Sequence, residues 1–364
     1  MKSIWSVALV ALAATAALAP LPASFIEEAY SNGVYPPLQS ILTWVSNLVP
    51  VALLDVMLVA GVAWWAWRLV KDVANRAGVA SEGHDGGFGW MDILMRAAAR
   101  TVAGAAAAYV LFLMVWGLNY RRVPLADKLQ FEAAAVSSEA ANTLARRAVA
   151  DLNALYRDAH LEAEAMPDAI DSVIAEALAR VERSLKVARP ARPARPKRTI
   201  LDRYLDAAGV DGVTDPYFLE TIVASDLLPF ERPFVIAHEW SHLAGFADEG
   251  EANFVGWLAC MHGDERLRYS GWLFLYNQTL STVRPHDRAE IEARLGPGPR
   301  SDLGAIAERA RKRINPTVSA AGWRAYDGYL KVNRVEAGAA SYGEFVKLVL
   351  GTRFENDWTP KLRH

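Results

Sequence analysis

Three long apolar stretches occupy the first third of the chain and constrain its fold most strongly. Each has the composition of a helix that crosses a bilayer, for which about 20 apolar residues are needed. The third stretch closes with Trp116 and Tyr120, which resembles an aromatic belt at a membrane interface. We therefore predict a membrane anchor over residues 1–120, with spans at about 4–24, 48–67 and 101–118.

The first two stretches each leave an alternative open. The first is either a signal peptide or a retained helix: Ala17-Leu18-Ala19 resembles a cleavage site, but Pro20 directly after it disfavours cleavage. We favour a retained helix. In the second stretch Asp55 is either a functional intramembrane carboxylate or a packing residue between helices, and we favour packing.

Basic residues in the short loops indicate the orientation, because cytoplasmic loops carry an excess of Lys and Arg. The first loop contains Glu27 and Glu28 but no basic residue. The basic residues of the second loop are Arg68, Lys71, Arg76 and Arg96, followed by Arg100. We therefore place the second loop in the cytoplasm and the chain from about residue 119 outside it, although Arg121 and Arg122 contradict the rule.

The composition argues against a nucleic-acid-binding protein and against a fold held by a disulfide within the chain. The 364 residues carry a formal net charge of −2, which gives no sign of nucleic-acid binding. Cys260 is the only cysteine, so no disulfide can form within the chain. Its apolar neighbours predict a buried packing role rather than a nucleophile or a ligand.

The residues with the clearest chemistry form an HExxH motif, His238-Glu239-Trp240-Ser241-His242. Helix positions i and i+4 share a face, so His238 and His242 can direct two imidazoles at one metal ion. Glu239 is offset around the helix and can reach a water on that metal. Such a motif also occurs by chance on solvated helices, but here its flanks are apolar, and burial of these groups would be costly unless a metal satisfied them. The motif predicts a zinc site with Glu239 as general base.

Three acidic residues after the motif could supply the third ligand. Asp248 stands where the metzincin pattern has its last ligand, whereas Glu249 and Asn253 match the spacing of the ligand and its supporting residue in gluzincins. Asn253 would then accept a hydrogen bond from a metal-bound imidazole. Asp248 and Glu251 also fit an N-cap and a capping box after a C-cap at Gly245. We favour Glu249, with Glu251 as the alternative and Asp248 third.

The chain from residue 121 to 364 has the periodicity of a mostly helical domain. Two helices are predicted between 126 and 187, with a break near 166–168, and others at 305–313 and 342–350.

Two segments before the motif are predicted to be extended. Residues 189–198 alternate Arg, Pro and Ala, which excludes a helix and predicts an extended basic linker, with contact to acidic lipid headgroups as the less favoured alternative. The β-branched run from Glu220 to Ser225 predicts a short strand or small sheet just before the motif helix. That strand is either an edge strand that pairs with an extended substrate or a purely structural one.

Seven stretches spread over nearly the whole chain resemble a known family. They are Trp116-Gly117-Leu118-Asn119-Tyr120-Arg121, Pro124-Leu125, Ala237-His238-Glu239-Trp240-Ser241-His242, Gly245-Phe246, Glu249-Gly250-Glu251-Ala252-Asn253-Phe254, Arg268-Tyr269-Ser270-Gly271 and Ser341-Tyr342-Gly343. The family is a bacterial domain-of-unknown-function family of membrane-anchored HExxH proteins, usually regarded as zinc peptidases. The resemblance implies a three-span anchor and a gluzincin-like helical domain, but no particular substrate. We expect the anchor to lie in the bacterial inner membrane.

Tyr269 is the candidate for a further catalytic role. Gluzincins often use a Tyr or His to stabilise the oxyanion in addition to the metal. Tyr269 follows the second metal-binding helix and could turn towards the site. The alternative is an ordinary packed tyrosine whose hydroxyl is paired.

The sequence as a whole predicts a membrane-anchored zinc metallopeptidase with a periplasmic domain, whose partners are the lipid bilayer and a protein or peptide substrate. The alternative is a catalytically inactive, membrane-tethered metal-binding scaffold or assembly factor. An intramembrane protease is disfavoured, because Glu231-Arg232 and Asp248-Glu249 flank the motif too closely for a membrane span.

Overall fold

The structure, a computed structural model, describes residues 2–81, 89–161, 169–333, 335 and 343–363. Helices dominate it, and a small three-stranded sheet precedes the motif helix. The prediction of a mainly α fold with a short strand or small sheet at that place is therefore confirmed.

The first apolar stretch does not form one straight span. Helix α1 (Lys2–Leu18) ends before Pro20 and Pro22, which cannot continue a helix. After a bend of 109° the chain forms three helical pieces, α2 (Ala23–Phe25), a π-helix (Ile26–Val34) and α3 (Tyr35–Asn47). The first helix therefore ends at Leu18 and not at the predicted end of the span at 4–24.

Two later helices are long and apolar enough to cross a membrane. They are α4 (Leu53–Ser81), apolar over Leu53–Arg76, and α5 (Trp90–Val115). Within the described residues, these are the two candidate spans, or two of three if α1 and the bent segment after it count as one. The structure is thus compatible with a membrane protein.

Helix α3 belongs to the C-terminal part of the molecule rather than to the anchor. The Tyr35 hydroxyl donates to the Leu243 carbonyl oxygen at 2.8 Å, and the Thr43 hydroxyl donates to the Leu219 carbonyl oxygen at 2.7 Å. Both side chains are buried. Helix α3, although it precedes residue 120, is therefore packed against the motif helix and the sheet region.

The remaining helices build the C-terminal part of the chain. They are α6 (Leu125–Lys128), α7 (Ser138–Leu161), α8 (Ser172–Ser184), α9 (Asp202–Ala208), α10 (Arg232–Leu243), α11 (Glu249–Met261), α12 (Glu265–Leu280), α13 (Pro285–Ala293), α14 (Pro297–Arg313), α15 (Pro316–Val332) and α16 (Glu344–Gly351), with short 3-10 turns at Gly117–Arg121 and Ala133–Ala135.

Most of the helices predicted for the C-terminal part of the chain are present. Helices α7 and α8 are the two predicted between 126 and 187, and α14 and α16 cover the two predicted near the end of the chain. The break predicted at 166–168 lies outside the described residues, as do Ser341 and Tyr342.

The sheet has the strand order β1-β3-β2. Its strands are β1 (Pro196–Lys197), β2 (Gly212–Asp215) and β3 (Glu220–Val223). Strand β3 pairs with β1 in parallel and with β2 antiparallel, so it lies in the centre. The strand predicted at 220–225 is present. Of its two interpretations, the central position of β3 contradicts the edge strand, and β2 takes an edge instead.

The basic segment at 189–198 is extended, as predicted, but it is more than a linker. It supplies β1, and Ala194 within it is fully buried. The Ala194 carbonyl oxygen accepts a hydrogen bond from the Trp240 indole N–H at 3.0 Å. This segment therefore packs against the motif helix as part of the core.

Polar contacts join the sheet region to the first turn of α4. The Asp55 carboxylate accepts hydrogen bonds from the Thr199 hydroxyl at 2.6 Å and from the Ile200 N–H at 2.9 Å. Lys197 and Glu220 form a fully buried ion pair at 2.7 Å. Asp55 is therefore a structural residue, but its partners come from residues 199–200 and not from neighbouring apolar helices.

Helices α10, α11 and α12 form the centre of the core. Trp240, Trp257 and Trp272, one from each helix, are fully buried. The rings of Trp257 and Trp272 meet edge to face, with their centroids 6.2 Å apart. Cys260 is buried on α11, as its apolar neighbours predicted.

Candidate metal centre

The turn after α10 reverses the chain and sets the second helix beside the first. Gly245 has a φ of +86°, a left-handed conformation that favours glycine. The Gly245 and Phe246 N–H groups donate to the carbonyl oxygens of His242 and Ser241, which closes the helix as a Schellman-type cap. The predicted C-cap at Gly245 is therefore confirmed.

Asp248 starts α11 as its N-cap. Its carboxylate accepts hydrogen bonds from the Gly250 N–H at 2.9 Å and the Glu251 N–H at 3.1 Å, as predicted for a cap residue. The Glu251 carboxylate does not complete a capping box, because it accepts from the Leu125 N–H at 2.5 Å. Both acids thus have structural partners away from the histidines.

The absence of a side chain at Gly256 lets α10 and α11 approach closely. A Cβ at this position would lie 2.9 Å from both the Cα and the backbone nitrogen of His238. Since backbone atoms of a packed helix cannot move aside easily, only glycine permits this distance. The close approach brings the first turn of α11 against the motif histidines.

Three side chains converge at this contact. Oε2 of Glu249 lies 3.4 Å from Nε2 of His238 and 3.6 Å from Nε2 of His242. These candidate ligand atoms all lie within 4.8 Å of one another. Of the two glutamates weighed as third ligand, Glu249 is the one that the structure places beside the histidines.

The surroundings of these side chains fit a metal ion. The Phe246 carbonyl oxygen lies 2.8 Å from Nδ1 of His242, which fixes that ring with Nε2 towards the cluster. Among the described residues, Oε2 of Glu249 and Nδ1 of His238 are buried without a conventional hydrogen-bond partner. Buried polar atoms rarely stay unsatisfied, and a cation between the imidazoles and the carboxylate would satisfy Oε2.

The charges at the cluster are coupled. Burial lowers the pKa of His242, but the neighbouring Glu249 carboxylate outweighs this and raises that pKa to about 9. Burial raises the pKa of Glu249, but His242 and His238 hold it well below its usual range. Without a metal the histidine therefore carries a proton, and metal binding would release it.

Glu239 lies beside the cluster without joining it. Its Oε2 atom accepts a hydrogen bond from the Thr214 hydroxyl of β2 at 2.9 Å, and the same hydroxyl lies 2.8 Å from the Glu239 carbonyl oxygen. Burial raises the pKa of Glu239 above its usual value, although His238 and His242 lower it. The carboxylate is therefore held in place and has an increased affinity for a proton.

A cavity of about 340 Å³ opens next to these residues. His238, Glu239 and Asn253 line it, together with apolar side chains that include Phe234 and Phe274. Asn253 was predicted to accept a hydrogen bond from a metal-bound imidazole. Among the described residues no hydrogen bond joins it to either histidine, and its buried Nδ2 has no partner.

The structure does not bring Tyr269 to the cluster. Its hydroxyl donates to the Asp302 carboxylate of α14, and its ring packs edge-on against His160 and Tyr156. Burial and the Asp302 carboxylate raise the pKa of this hydroxyl above its usual value. Tyr269 is thus the packed, paired tyrosine of the alternative interpretation.

Tyr326 is the tyrosine that contacts the cluster, and the sequence alone did not indicate it. Its hydroxyl donates to Oε1 of Glu249, which leaves Oε2 facing the histidines. The ring of Tyr326 stacks on Tyr329, with centroids 5.8 Å apart. Tyr326 lies 77 residues after Glu249, so no local spacing could have linked the two.

Comparison with known proteins assigns the chain to a family. The chain belongs to the family described as "Protein of unknown function (DUF3810)", whose model matches residues 30–350. The resemblance to an uncharacterised domain-of-unknown-function family is confirmed at that level. Comparisons with curated proteins and with solved structures found no match.

Proposed function

We propose that this protein is a membrane-anchored, zinc-dependent metallopeptidase with a gluzincin-like site. The observation that carries the proposal is the convergence of His238, His242 and Glu249, whose candidate ligand atoms lie within 4.8 Å of one another. Glu239 and a cavity adjoin that cluster, as the general base and the substrate space of a hydrolase would.

Zinc is the metal that this ligand set favours. Two imidazoles and one carboxylate, with a further position open, are the ligands of catalytic zinc sites. Bound zinc would polarise the scissile carbonyl group and lower the pKa of a water molecule. His242, oriented by the Phe246 carbonyl oxygen, and Glu249, held by Tyr326, would be the best fixed of the three ligands.

Glu239 moves the proton in the proposed reaction. Its Oε1 or Oε2 atom takes a proton from the attacking water and delivers it to the nitrogen of the leaving amine. Burial raises the pKa of this carboxyl group, which favours the transient protonated form. The Thr214 hydroxyl fixes the carboxylate, so it need not be ordered during the reaction.

The domain is proposed to face the periplasm of a bacterial inner membrane. The basic residues between the second and third apolar stretches support a cytoplasmic loop there. Helix α4 starts and α5 ends beside the domain, as the contacts of Asp55 and Trp116 indicate. The domain would then lie on the side opposite to that loop.

The test compares the wild type with Glu239→Gln, both as full chains purified in detergent. We expect both to bind zinc, and only the wild type to cleave members of a broad peptide library. Glu139→Gln, a substitution of an exposed glutamate at the start of α7, serves as the matched control and should cleave normally. Full activity of Glu239→Gln would contradict the mechanism, and zinc binding without cleavage by the wild type would favour the inactive scaffold.

A further inference from the structure

Helix α9 is attached to the first turn of a candidate membrane span. The Ile200 N–H and the Thr199 hydroxyl, just before α9, both donate to Asp55, the third residue of α4. If α4 crosses a bilayer, residues 199–200 lie at the surface where α4 enters it. The start of α9 is therefore fixed at the level of the membrane surface.

Helix α15 is attached to the last turn of the other span. The rings of Phe112, in the last turn of α5, and Tyr329 of α15 meet edge to face with centroids 5.8 Å apart. Helices α4 and α5 are consecutive, so the start of α4 and the end of α5 lie at the same face of the bilayer. The end of α15 is thus fixed at that same surface.

Helices α9 and α15 also pack against each other. The Asn315 N–H, at the start of α15, donates to the Ala207 carbonyl oxygen of α9 at 2.9 Å. Near the middle of α15, an ideal Cβ on Gly322 would lie 3.7 Å from Cβ of Ala208 and 3.8 Å from the Tyr204 hydroxyl oxygen. The pair is therefore one layer, with an attachment to each span.

This layer exposes apolar and basic side chains. Ile200 is 66% exposed, Tyr204 53% and Trp323 40%. The exposed basic residues of the same layer are Arg198, Arg203, Arg324 and Lys331. A mixture of large apolar, aromatic and basic residues is the composition of a surface that lies in the headgroup region of an anionic bilayer.

The same layer forms part of the cavity beside the metal cluster. Gly209 and Val210, directly after α9, and Trp323 of α15 line that cavity together with His238 and Glu239. Trp323 therefore belongs both to the exposed layer and to the cavity wall. A peptide that approaches along this layer would reach Glu239 while it stays close to the layer.

We propose that α9 and α15 lie on the surface of the bilayer that α4 and α5 cross, so that the cavity opens at the membrane surface. The occupant of the exposed layer is the lipid headgroup region itself. The membrane contact depends on neither zinc nor hydrolysis. A consequence that does rest on the proposed function is that the substrates are peptide segments held close to a membrane.

Lipid quenching of a site-specific fluorophore tests the contact. The full chain is reconstituted in nanodiscs of anionic lipid, with single cysteines at Ile200→Cys, Tyr204→Cys or Trp323→Cys labelled with an environment-sensitive dye. Cys260 can stay, because it is fully buried and burial raises its pKa. Arg288→Cys, on α13, is the matched control, because α13 packs on α7 and neither helix packs substantially on α4 or α5.

We expect lipids that carry a nitroxide near the headgroup to reduce the fluorescence of the first three labels more than deep nitroxides do, because interfacial residues sit shallowly. The label at 288 should lose no fluorescence. Equal quenching at all four positions would overturn the proposal. An absence of quenching at 200, 204 and 323, as when a second protein chain shields the layer from lipid, would overturn it too.

A separate assay tests the consequence for the substrate. Proteoliposomes are given one cleavable peptide in two forms, with and without an acyl chain that anchors it to the bilayer. We expect faster cleavage of the anchored form, and equal rates would overturn the consequence for substrate choice. Failure of the proposed function would instead appear as no cleavage of either peptide, while the quenching result would stand.

Discussion

Gly212 lies directly against the carboxyl group of Glu239. A Cβ at Gly212 would stand 2.5 Å from Oε1 and 2.9 Å from Cδ of that glutamate. Since the backbone of β2 is paired with β3, the side chain and not the strand would have to move. The absence of a side chain at Gly212 therefore sets the position of the proposed general base.

Gly212→Ala should reduce hydrolysis while zinc stays bound. We expect a loss on the order of 100-fold, because a misplacement of about 1 Å can cost that much in rate. Peptide cleavage and zinc content, measured on the same preparation, check this. Gly304→Ala on α14 is the matched control, because nothing lies within 4 Å of the added Cβ. Unchanged cleavage by Gly212→Ala would show that Gly212 does not set the position of the Glu239 carboxylate.

The choice between Glu249 and Glu251 predicts a difference in zinc content. Glu249→Ala should lose zinc, as should His238→Ala, because each removes one of three ligands. Glu251→Gln should keep it, since a glutamine oxygen can still accept the Leu125 N–H. Metal analysis after extensive dialysis measures this. Zinc retained by Glu249→Ala but lost by Glu251→Gln would reverse the assignment.

Tyr326→Phe should weaken zinc binding without abolishing it. The substitution removes the hydrogen bond to Oε1 of Glu249, and loss of such a partner typically costs about 10–100-fold in metal affinity. Competition with a chromophoric chelator measures the affinity. Tyr269→Phe is the matched control: it removes a buried hydroxyl that pairs with Asp302, so it should lower stability and leave zinc affinity unchanged. Weaker zinc binding by Tyr269→Phe, with unchanged binding by Tyr326→Phe, would show that Tyr269 and not Tyr326 supports the metal site.

Local spacing explains what the sequence predicted well. The i, i+4 spacing of His238 and His242, the C-cap at Gly245 and the N-cap at Asp248 all depend on neighbours within a few residues. Such features follow from helix geometry, so one sequence suffices to find them. The position of Glu249 near the histidines then follows from a turn between two capped helices.

Contacts between distant parts of the chain explain what was missed. Tyr35 and Leu243 are 208 residues apart, so nothing in either neighbourhood places α3 on the motif helix. Residues 189–198 have the composition of an extended basic linker, and the extended backbone that proline imposes is what allows β1 to pair with β3. Composition gave the conformation of this segment, whereas its burial depends on the tertiary fold.

Glu182 of α8 gives a prediction about pH that does not involve the metal cluster. Burial raises the pKa of its carboxyl group to about 8, although a hydrogen bond from the Ala191 N–H opposes this shift. The folded protein therefore holds a proton here that the unfolded chain, with a carboxyl pKa of about 4.5, has lost. Stability from this group is complete below pH 4.5 and is lost as the pH rises to 8.

Glu182→Gln should remove that loss, because glutamine keeps an acceptor for the Ala191 N–H and does not ionise. We expect the free energy of unfolding of the variant to match that of the wild type near pH 5. Near pH 9 it should be higher by several kcal/mol, at about 1.4 kcal/mol per unit of pKa difference between the folded and unfolded states. Thermal unfolding in detergent across this range measures the difference. Glu139→Gln, at an exposed position, should follow the wild type at every pH. Parallel profiles for Glu182→Gln and the wild type would mean that Glu182 is ionised in the folded protein, with its charge satisfied in the interior.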